Sequence, residues 1–484
     1  METERFDAIV VGAGQGGVPL AQALAGAGRR TALIECAHVG GTCINYGCTP
    51  TKTMVASARV AHLARRAQAY GIDVAPPVVD LRRVRARKRE IVESFRQGSE
   101  KRLAQTDGLE LIRGTARFVG PKRIGVFTQH ASCTPSTARP PAAAAPREER
   151  APDRQLTAER IILDVGARPA RPPIPNLEAA RPLDSTSIME LAEPPAHLIV
   201  LGGGYVGLEF AQMFRRFGSR VTILQKRGRL LPREDADISD ALAEILREEE
   251  IDILLEAEAR AVTRAGDRVV VEAAVAGAAR TIEGSELLLA AGRRSNADLL
   301  DLAATGLEAD ARGWIPVDEH LETGVPGIYA IGDVKGGPAF THISYDDFRI
   351  LCTRLLDGDA ASTRGRAVPY VLYTDPELGR IGLTEAQARE RFGSRAVRVA
   401  QMPAARIARS IESDETRGLL KVVVDREREE ILGAAILAPR GGELMSLLQI
   451  AMQARLSVPA LRDATLAHPT FAEALNTLFQ SWED

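Results

Sequence analysis

The chain reads FDAIVVGAGQGG over residues 6–17. Residues 6–11 form an apolar run typical of a buried parallel strand, and the glycines that follow predict a tight turn that opens a helix. A second apolar run, Thr31–Glu35, comes after that helix. Because strand, glycine-rich turn, helix and strand make a βαβ unit, the sequence predicts a fold that begins with a parallel sheet.

The turn between this strand and helix matches the pattern G-x-G-x-x-G, with Gly12, Gly14 and Gly17 as its glycines. In that pattern one glycine permits the tight turn, one lets the backbone approach a pyrophosphate and one lets the helix pack on the strand. The next strand ends in Glu35, an acid suited to binding a ribose diol. The sequence therefore predicts a dinucleotide site at this turn.

The same arrangement returns in the middle of the chain. The apolar run His197–Leu201 leads into a second turn, whose motif glycines are Gly202, Gly204 and Gly207. A helix and another apolar run, over residues 220–225, follow this turn. The sequence therefore predicts a second dinucleotide-binding unit.

The end of that last run predicts which nucleotide binds. Gln225 stands where the first unit has an acid, and Lys226 and Arg227 follow it. A carboxylate would accept hydrogen bonds from a free 2′-hydroxyl, whereas a neutral residue beside cations suits a 2′-phosphate. The sequence therefore predicts NADPH, with NADH still possible. The alternative is that these cations lie on a solvated loop.

Composition excludes several classes of protein. The 484 residues suggest several domains, and 45% apolar with 26% charged residues is globular composition. A net charge of −2 gives no basic field for nucleic acid or an anionic membrane. Five cysteines are too few for a disulfide scaffold of this length. The start Met1-Glu2-Thr3-Glu4 lacks the basic region of a secretory signal, so we expect a soluble, cytoplasmic protein.

Two cysteines, Cys43 and Cys48, follow the first βαβ unit and precede a helix predicted over residues 51–69. A helix N-terminus stabilises a thiolate, and a cation at Lys52 adds to that effect. The alternatives are half of a zinc site or two unrelated buried thiols. No second cysteine or histidine pair in the sequence has metal-ligand spacing, so we expect no metal site.

The segment from Gly40 to Lys52 resembles the redox-active disulfide motif of the class I pyridine nucleotide–disulfide oxidoreductases. That family includes dihydrolipoyl dehydrogenase, glutathione reductase and mercuric reductase, and the resemblance covers essentially the whole chain. Further matches are the second flavin motif at residues 327–333, a G-R-x-P-N segment at 292–296 with serine for proline, the opening of the dimerisation domain at 373–377, and the His468–Glu473 pair. One departure is Asp164-Val165-Gly166, which stands where the family usually has A-T-G.

The resemblance implies an α/β fold with two Rossmann-like domains, for FAD and NAD(P), and a C-terminal α+β dimerisation domain. The expected boundaries are residues 1–171 for FAD binding, 172–292 for NAD(P) binding, 293–360 for the rest of the FAD-binding part and 361–484 for dimerisation. Residues 129–155 are proline-rich and are predicted to be a surface insertion between two strands. We expect a homodimer with a composite active site.

The resemblance also implies the site residues. Cys48 would be the thiolate beside the flavin and Cys43 the thiol that faces substrate, while His468, held by Glu473, would serve the partner's disulfide. Lys52 and Glu209 would form an ion pair beside the flavin, and Tyr205 would gate the nicotinamide pocket. The expected FAD-binding residues are Gly12, Gly14, Gly17, Glu35, Thr42, Lys52, Gly332 and Asp333, and the expected NAD(P)-binding residues are Gly202, Gly204, Tyr205, Gly207, Lys226, Arg227 and Gly292.

The electron acceptor stays open at this point. The chain most resembles the mercuric-reductase-like branch, but it ends Ser481-Trp482-Glu483-Asp484 without a vicinal cysteine pair and retains His468, which mercuric reductases generally replace. We therefore expect an NAD(P)H oxidoreductase that reduces a disulfide, a metal ion or another small acceptor. The alternatives are a dihydrolipoyl dehydrogenase or glutathione-reductase-type enzyme, and, in another class, a non-catalytic redox sensor or scaffold.

Overall fold

The computed structural model describes residues 2–128 and 151–483. Most of the predicted insertion, residues 129–155, lies outside these ranges. Its predicted C-terminal boundary is wrong, because Arg154 and Gln155 already belong to a strand. Gln155 pairs with Thr3 on one side and Gly125 on the other, so these residues are held in the sheet by hydrogen bonds on both edges.

The described residues form 21 strands and 12 α-helices. The strands are β1 (Thr3–Val11), β2 (Thr31–Glu35), β3 (Leu109–Arg113), β4 (Thr115–Gly120), β5 (Arg123–Phe127), β6 (Arg154–Leu163), β7 (Ala167–Pro169), β8 (His197–Leu201), β9 (Arg220–Leu224), β10 (Ile251–Leu254), β11 (Ala257–Ala265), β12 (Arg268–Val275), β13 (Ala278–Gly284), β14 (Glu286–Leu289), β15 (Arg293–Ser295), β16 (Ile328–Ala330), β17 (Tyr370–Leu372), β18 (Glu377–Gly382), β19 (Val397–Pro403), β20 (Leu419–Asp425) and β21 (Ile431–Ala438). The α-helices are α1 (Gly17–Gly26), α2 (Gly41–Asn45), α3 (Cys48–Arg66), α4 (Leu81–Ala104), α5 (Tyr205–Phe217), α6 (Ala236–Glu248), α7 (Thr341–Cys352), α8 (Glu385–Phe392), α9 (Ala408–Glu412), α10 (Gly441–Gln453), α11 (Val458–Arg462) and α12 (Ala474–Leu478).

The first sheet has the order β3-β2-β1-β6-β5-β4, and β16 pairs with the C-terminal part of β6. β1, β2, β3, β6 and β16 run parallel. β2, β16 and the C-terminal ends of β1 and β6 are buried, because both faces of this part of the sheet are covered. Leu20 and Leu24 of α1 pack with Val10 and Leu33 on one face. The carboxyl ends of β1, β6 and β16 therefore meet at one edge, where parallel sheets bind ligands.

The second sheet, β10-β9-β8-β14, is also parallel, and the antiparallel sheet β11-β12-β13 packs beside it. Its helix α5 is amphipathic and buries Phe210 and Phe214 in the largest apolar cluster. That cluster also contains Met54 of α3 and Leu372 of β17. The second unit is thus packed against both the cysteine-bearing helix and the C-terminal domain.

The C-terminal domain is a five-stranded antiparallel sheet, β17-β18-β21-β20-β19, covered by α10. Ile436 and Leu448 form its core together with Phe479 from the last turn of the chain. Two parallel units that each open on a glycine-rich turn, followed by an α+β domain, confirm the predicted fold class. Within the described residues, no helix is long and apolar enough to cross a bilayer.

Candidate active site

The first glycine-rich turn is compressed between β1 and β6. Gly12 has φ +104°, and a side chain there would meet the carbonyl oxygen of Asp164. A Cβ at Gly14 would lie 2.6 Å from the Asp164 carboxyl, and one at Gly17 would meet the carbonyl oxygen of Gly12. Only glycine fits this path, which brings the backbone N–H groups at the start of α1 to the ligand-binding edge of the sheet.

Glu35 holds this turn from the end of β2. Its buried carboxylate accepts hydrogen bonds from the backbone N–H groups of Ala13, at 2.8 Å, and Ala37, at 2.7 Å. Burial raises the pKa of Glu35 above its ordinary value, and these two hydrogen bonds oppose that rise. Asp333, in the short helix Gly332–Lys335 after β16, faces the same edge, and Arg293 Nε lies 3.6 Å from its carboxylate. Glycine turn and acids together make a cradle of the kind that a dinucleotide fills.

The cysteine segment packs directly on this cradle. Gly40 N–H donates to the carbonyl of Ala13, and a Cβ at Gly41 would lie 2.9 Å from Gly14 Cα. This close approach places the short helix α2, with Thr42 and Cys43, against the first turn. The chain therefore brings the cysteine segment to the first glycine-rich turn.

Cys48 is the first residue of α3, three residues before the predicted start. Gly47 is the N-cap, so Pro50 falls in the first turn, where its missing N–H has no intrahelical partner to lose. Thr341 Oγ1 lies 3.4 Å from Cys48 Sγ. A hydrogen bond from Cys43, then Thr341 and the charge of Lys52, lower the pKa of Cys48 to about 6. Cys43 is the donor in that hydrogen bond, and this role, together with burial, raises the pKa of its thiol.

An ion pair lies beside the thiols and joins three parts of the chain. Lys52, in the first turn of α3, donates to Glu209 of α5 at 2.5 Å. Glu209 is buried and also accepts the backbone N–H of Tyr373 at 3.0 Å, while Lys52 Nζ lies 4.7 Å from the centre of the Tyr373 ring. This ion pair is partly shielded from water, so its charges interact more strongly with a neighbouring thiol that gains or loses a negative charge.

The second glycine-rich turn has the same construction but an open face. Gly202 has φ +119°, and a Cβ there would lie 2.5 Å from the carbonyl oxygen of Ala290. A Cβ at Gly207 would meet the carbonyl of Gly202, so α5 packs tightly on β8. Around Gly204, the N-cap of α5, the described residues leave the Cβ position open within 4 Å. Gly292, with φ +116°, lies beyond the neighbouring strand β14. An open helix N-terminus of this kind suits a phosphate.

Beside this turn, the predicted cations differ in their contacts. Gln225 accepts from Gly203 N–H at 3.3 Å and donates to the Arg229 carbonyl at 2.8 Å. Lys226 is exposed and pairs with Glu258 at 2.6 Å. Arg227 is exposed, and its guanidinium forms no ion pair with the residues that the structure describes. Arg227 is thus the cation best placed to meet a further anion.

Tyr205 starts α5 and packs edge-on against Tyr370, with ring centres 5.3 Å apart. Its hydroxyl donates to Glu234 at 3.2 Å, and Tyr370 donates to the same carboxylate oxygen. Phe340 stacks on Tyr370, with ring centres 5.4 Å apart. The predicted gate is therefore held by side chains from the second unit and the C-terminal domain together.

His468 and Glu473 form a contact of their own. His468 Nδ1 lies 2.9 Å and 3.0 Å from the two carboxylate oxygens of Glu473. Because a carboxylate only accepts, Nδ1 carries the proton that it donates to Glu473, and Nε2 takes no part in this contact. The His468 side chain is 70% exposed, and the described part of this protomer shows no contact between it and either cysteine. The pair thus lies at the surface of the protomer.

Two residues near the thiols and the first turn had escaped the sequence prediction. Thr341 carries no motif, and it reaches Cys48 only because α7 packs across the first unit. Asp164 did carry a signal, since it is a charged residue directly after the buried strand β6 and departs from the A-T-G pattern. Its carboxyl group accepts from Gly17 N–H at 2.7 Å.

Comparisons with known proteins agree with this geometry. Residues 6–347 match the family model "Pyridine nucleotide-disulphide oxidoreductase", and residues 368–479 match its dimerisation domain, which indicates a homodimer. The chain is 37% identical to the probable pyridine nucleotide-disulfide oxidoreductase RclA of Escherichia coli, over 98% of this chain and 99% of the relative. It is 32% identical to mercuric reductase of Bacillus cereus, over 97% of this chain and 70% of the relative.

A dihydrolipoyl dehydrogenase of Geobacillus stearothermophilus is 30% identical, over 98% of this chain and 94% of the relative. Among solved structures, the Cu(II) complex of the HOCl-induced flavoprotein disulfide reductase RclA from Escherichia coli matches with a TM-score of 0.85 and 36% identity, over 99% of both chains. Two nucleotide cradles, a thiol pair and matches that span the chain lead to one conclusion. The chain belongs to the pyridine nucleotide-disulphide oxidoreductase family, whose members use FAD and a pyridine nucleotide.

Proposed function

We propose that this protein is an NADPH-dependent flavoprotein reductase whose electrons leave through Cys43 and Cys48. One observation carries the proposal. Cys48 opens α3, receives a hydrogen bond from Cys43 and lies in a segment that packs on the first dinucleotide turn. A thiol pair with opposed pKa shifts at a nucleotide cradle suits redox chemistry better than a structural role.

The residues present fit FAD at the first turn. Gly14 leaves room for a pyrophosphate, Glu35 ends β2 beside the turn, and Asp333 faces the same edge from β16. Thr42 and Lys52 would contact the other end of the cofactor from the cysteine segment. When bound, FAD supplies the two-electron chemistry that links a nicotinamide to a disulfide.

The thiols divide the work between them. When two electrons open a Cys43–Cys48 disulfide, Cys48 leaves as a thiolate and Cys43 takes up one proton as a thiol. With a pKa of about 6, Cys48 needs no proton at neutral pH. Lys52, paired with Glu209, lies close enough to favour that negative charge.

Proton transfer at Cys43 is assigned to His468 of the partner subunit. Glu473 fixes the imidazole with Nδ1–H toward its carboxylate, which leaves Nε2 to accept the thiol proton. Because the pair is exposed and shows no contact with the thiols of its own protomer, we infer that it acts across the dimer. Tyr205, held by Glu234, would cover the nicotinamide pocket when no nucleotide is bound.

We infer that the acceptor is a thiophilic metal ion, with Cu(II) as the test case. The related Escherichia coli structure is described as a Cu(II) complex. The two thiols form a ligand pair suited to copper. In this reaction two Cu(II) ions become two Cu(I) ions, while the Cys48 thiolate and the Cys43 thiol lose two electrons and the single Cys43 proton and form their disulfide.

A disulfide is the second candidate acceptor, and the His468–Glu473 contact favours it. Reduction of a disulfide requires a proton for the leaving thiol, which an imidazole next to a carboxylate can supply. A metal ion displaces the Cys43 proton without such help. The two acceptors therefore depend differently on His468.

The experiment compares purified wild type with H468A, using NADPH and either Cu(II) with a Cu(I)-specific chelator or a panel of small disulfides. If Cu(II) is the acceptor, wild type produces Cu(I), and H468A retains most of that rate. If a disulfide is the acceptor, H468A loses about 10²–10⁴-fold. C43S is the matched control and should be inactive with both. Cu(I) production by C43S at the wild-type rate would refute the route through the thiols.

A further inference from the structure

The carboxyl group of Asp164 lies where the first glycine-rich turn approaches its ligand. Asp164 follows β6, and its backbone N–H donates to Val11 at the end of β1. Its Oδ2 lies 2.6 Å from the Cβ position of Gly14, the glycine at which the backbone comes closest to a pyrophosphate. Its Oδ1 lies 2.9 Å from the Cβ position of Gly332. Asp164 is 8% exposed, and its carboxyl group lies between these two glycines at the first turn.

One oxygen of this carboxyl group has a partner and the other does not. Oδ2 accepts the N–H of Gly17, the first residue of α1, at 2.7 Å. That N–H is one of the donors that a helix N-terminus offers to a phosphate, and Asp164 occupies it. Oδ1 receives no hydrogen bond from the residues that the structure describes. It is the polar atom left to face the ligand.

The charges around Asp164 disfavour its ionised form. Three further carboxylates, Glu35 of β2, Asp333 after β16 and Asp347 of α7, surround it. The nearby cations form ion pairs with these other carboxylates. Arg293 faces Asp333, and Asp347 lies 3.2 Å from Lys335 and 2.6 Å from Arg366. Within the described chain no cation forms an ion pair with Asp164. Burial first, and then these carboxylates, raise the pKa of Asp164 well above its ordinary value.

An ionised carboxylate next to a pyrophosphate would place like charges together in a buried site. A neutral carboxyl group keeps Oδ2 as an acceptor for Gly17 and gives Oδ1 a proton to donate. We propose that Asp164 is a cofactor-binding residue that remains protonated and donates a hydrogen bond to the FAD pyrophosphate. This inference rests on the proposed binding of FAD at the first turn.

Substitution by asparagine tests whether Asp164 is protonated. The asparagine amide has the shape of a neutral carboxyl group and, like it, offers one acceptor oxygen and a hydrogen-bond donor. Wild type, D164N and D164A are purified, and the FAD-to-protein ratio of wild type is measured first. A wild type that binds no FAD would refute the proposed function itself. Infrared spectra of the FAD-loaded proteins are then compared for the carbonyl stretch of a protonated carboxyl group, with E377Q as a control at an acid of the C-terminal domain whose pKa burial also raises.

We expect wild type and E377Q to show a protonated-carboxyl band that shifts in D₂O and on removal of FAD, and D164N to lack it. We also expect D164N to bind FAD within about threefold of wild type, and D164A to bind about tenfold or more weakly, as for loss of a hydrogen bond to a charged group. The proposal is overturned if D164N retains the band, or if D164A binds FAD as tightly as D164N. The infrared comparison of wild type with D164N decides the matter even if D164A fails to fold.

Discussion

The low pKa of Cys48 depends mainly on the thiol of Cys43, and removing that thiol gives a measurable shift. Hydrogen bonds to charged groups contribute about 1.5–3 kcal/mol, and one pKa unit corresponds to about 1.4 kcal/mol. Because S–H is a weak donor, we take the lower end of that range. Cys43→Ala should therefore raise the pKa of Cys48 by about one unit, from about 6 to about 7.

The lowered pKa of Cys48 determines how its alkylation rate varies with pH. A lowered thiol pKa means that thiolate exists at every pH above about 6, so alkylation of Cys48 should accelerate as pH rises through that value. In C43A the acceleration moves upward, and at a pH of about 6.5 the rate should fall about threefold. The assay is iodoacetamide alkylation of apoprotein as a function of pH. Mass spectrometry of the peptide that contains Cys48 separates it from the other four cysteines of the chain.

Two variants serve as controls for this measurement. C43S keeps a hydroxyl donor at the same position and should shift the pKa of Cys48 less than C43A does. Thr341→Val removes the longer contact, at 3.4 Å, and should also have a smaller effect. The reasoning is refuted if the midpoint of C43A equals that of wild type, or if T341V raises it more than C43A does.

Three further predictions concern the nucleotide, the dimer and stability. Arg227→Ala should lower the ratio of kcat/KM for NADPH to kcat/KM for NADH about tenfold or more, because it removes a charge-assisted contact to the 2′-phosphate. R229A should change this ratio little, since the Arg229 guanidinium already faces Asp240 at 3.1 Å. Steady-state kinetics measure both ratios, and a wild type that uses NADH as well as NADPH would contradict the assignment. With a disulfide acceptor, subunit exchange between the inactive C43S and H468A proteins should restore about one quarter of wild-type activity. Half of the dimers are then mixed, and each mixed dimer has one intact composite site. If mass labelling confirms the exchange and no activity returns, His468 lies outside the site. The Arg216 side chain is 5% exposed and bridges Glu249 and Asp375 at 2.8 Å each. R216M should therefore lower the free energy of unfolding by about 3–5 kcal/mol, whereas R215M should have a small effect because Arg215 pairs with the exposed Glu250. Equal Tm values for the two variants would contradict this prediction.

The parts of the fold that could be predicted from sequence are those fixed by local sterics. β2 and β8 begin and end where the apolar runs do, and the glycines of both turns occupy positions that only glycine can fill. The predicted start of α3 at residue 51 is three residues late, because the sequence does not mark Pro50 as lying inside the helix. In the structure it lies inside the first turn, which tolerates proline.

The contacts missed from sequence are those between residues far apart in the chain. Thr341 reaches Cys48, and Tyr370 reaches Glu234, only after three units have packed together, and neither contact leaves a spacing pattern. The resemblance implied the Lys52–Glu209 pair, which the structure brings to 2.5 Å, but composition and periodicity do not predict it. Asp164 was visible as a departure from a motif, yet its meaning depended on the burial that packing creates.

The central claim is that Cys48 is the thiolate against the flavin and Cys43 the thiol that meets the acceptor. Anaerobic absorption spectra of FAD-loaded C43S and C48S test it most directly, because a thiolate stacked on oxidised flavin gives a long-wavelength charge-transfer band. We predict that C43S shows this band without any reductant, that the band disappears as pH falls through the pKa of Cys48, and that C48S lacks it at every pH. A band in C48S and none in C43S would reverse the roles of the two cysteines and contradict the account.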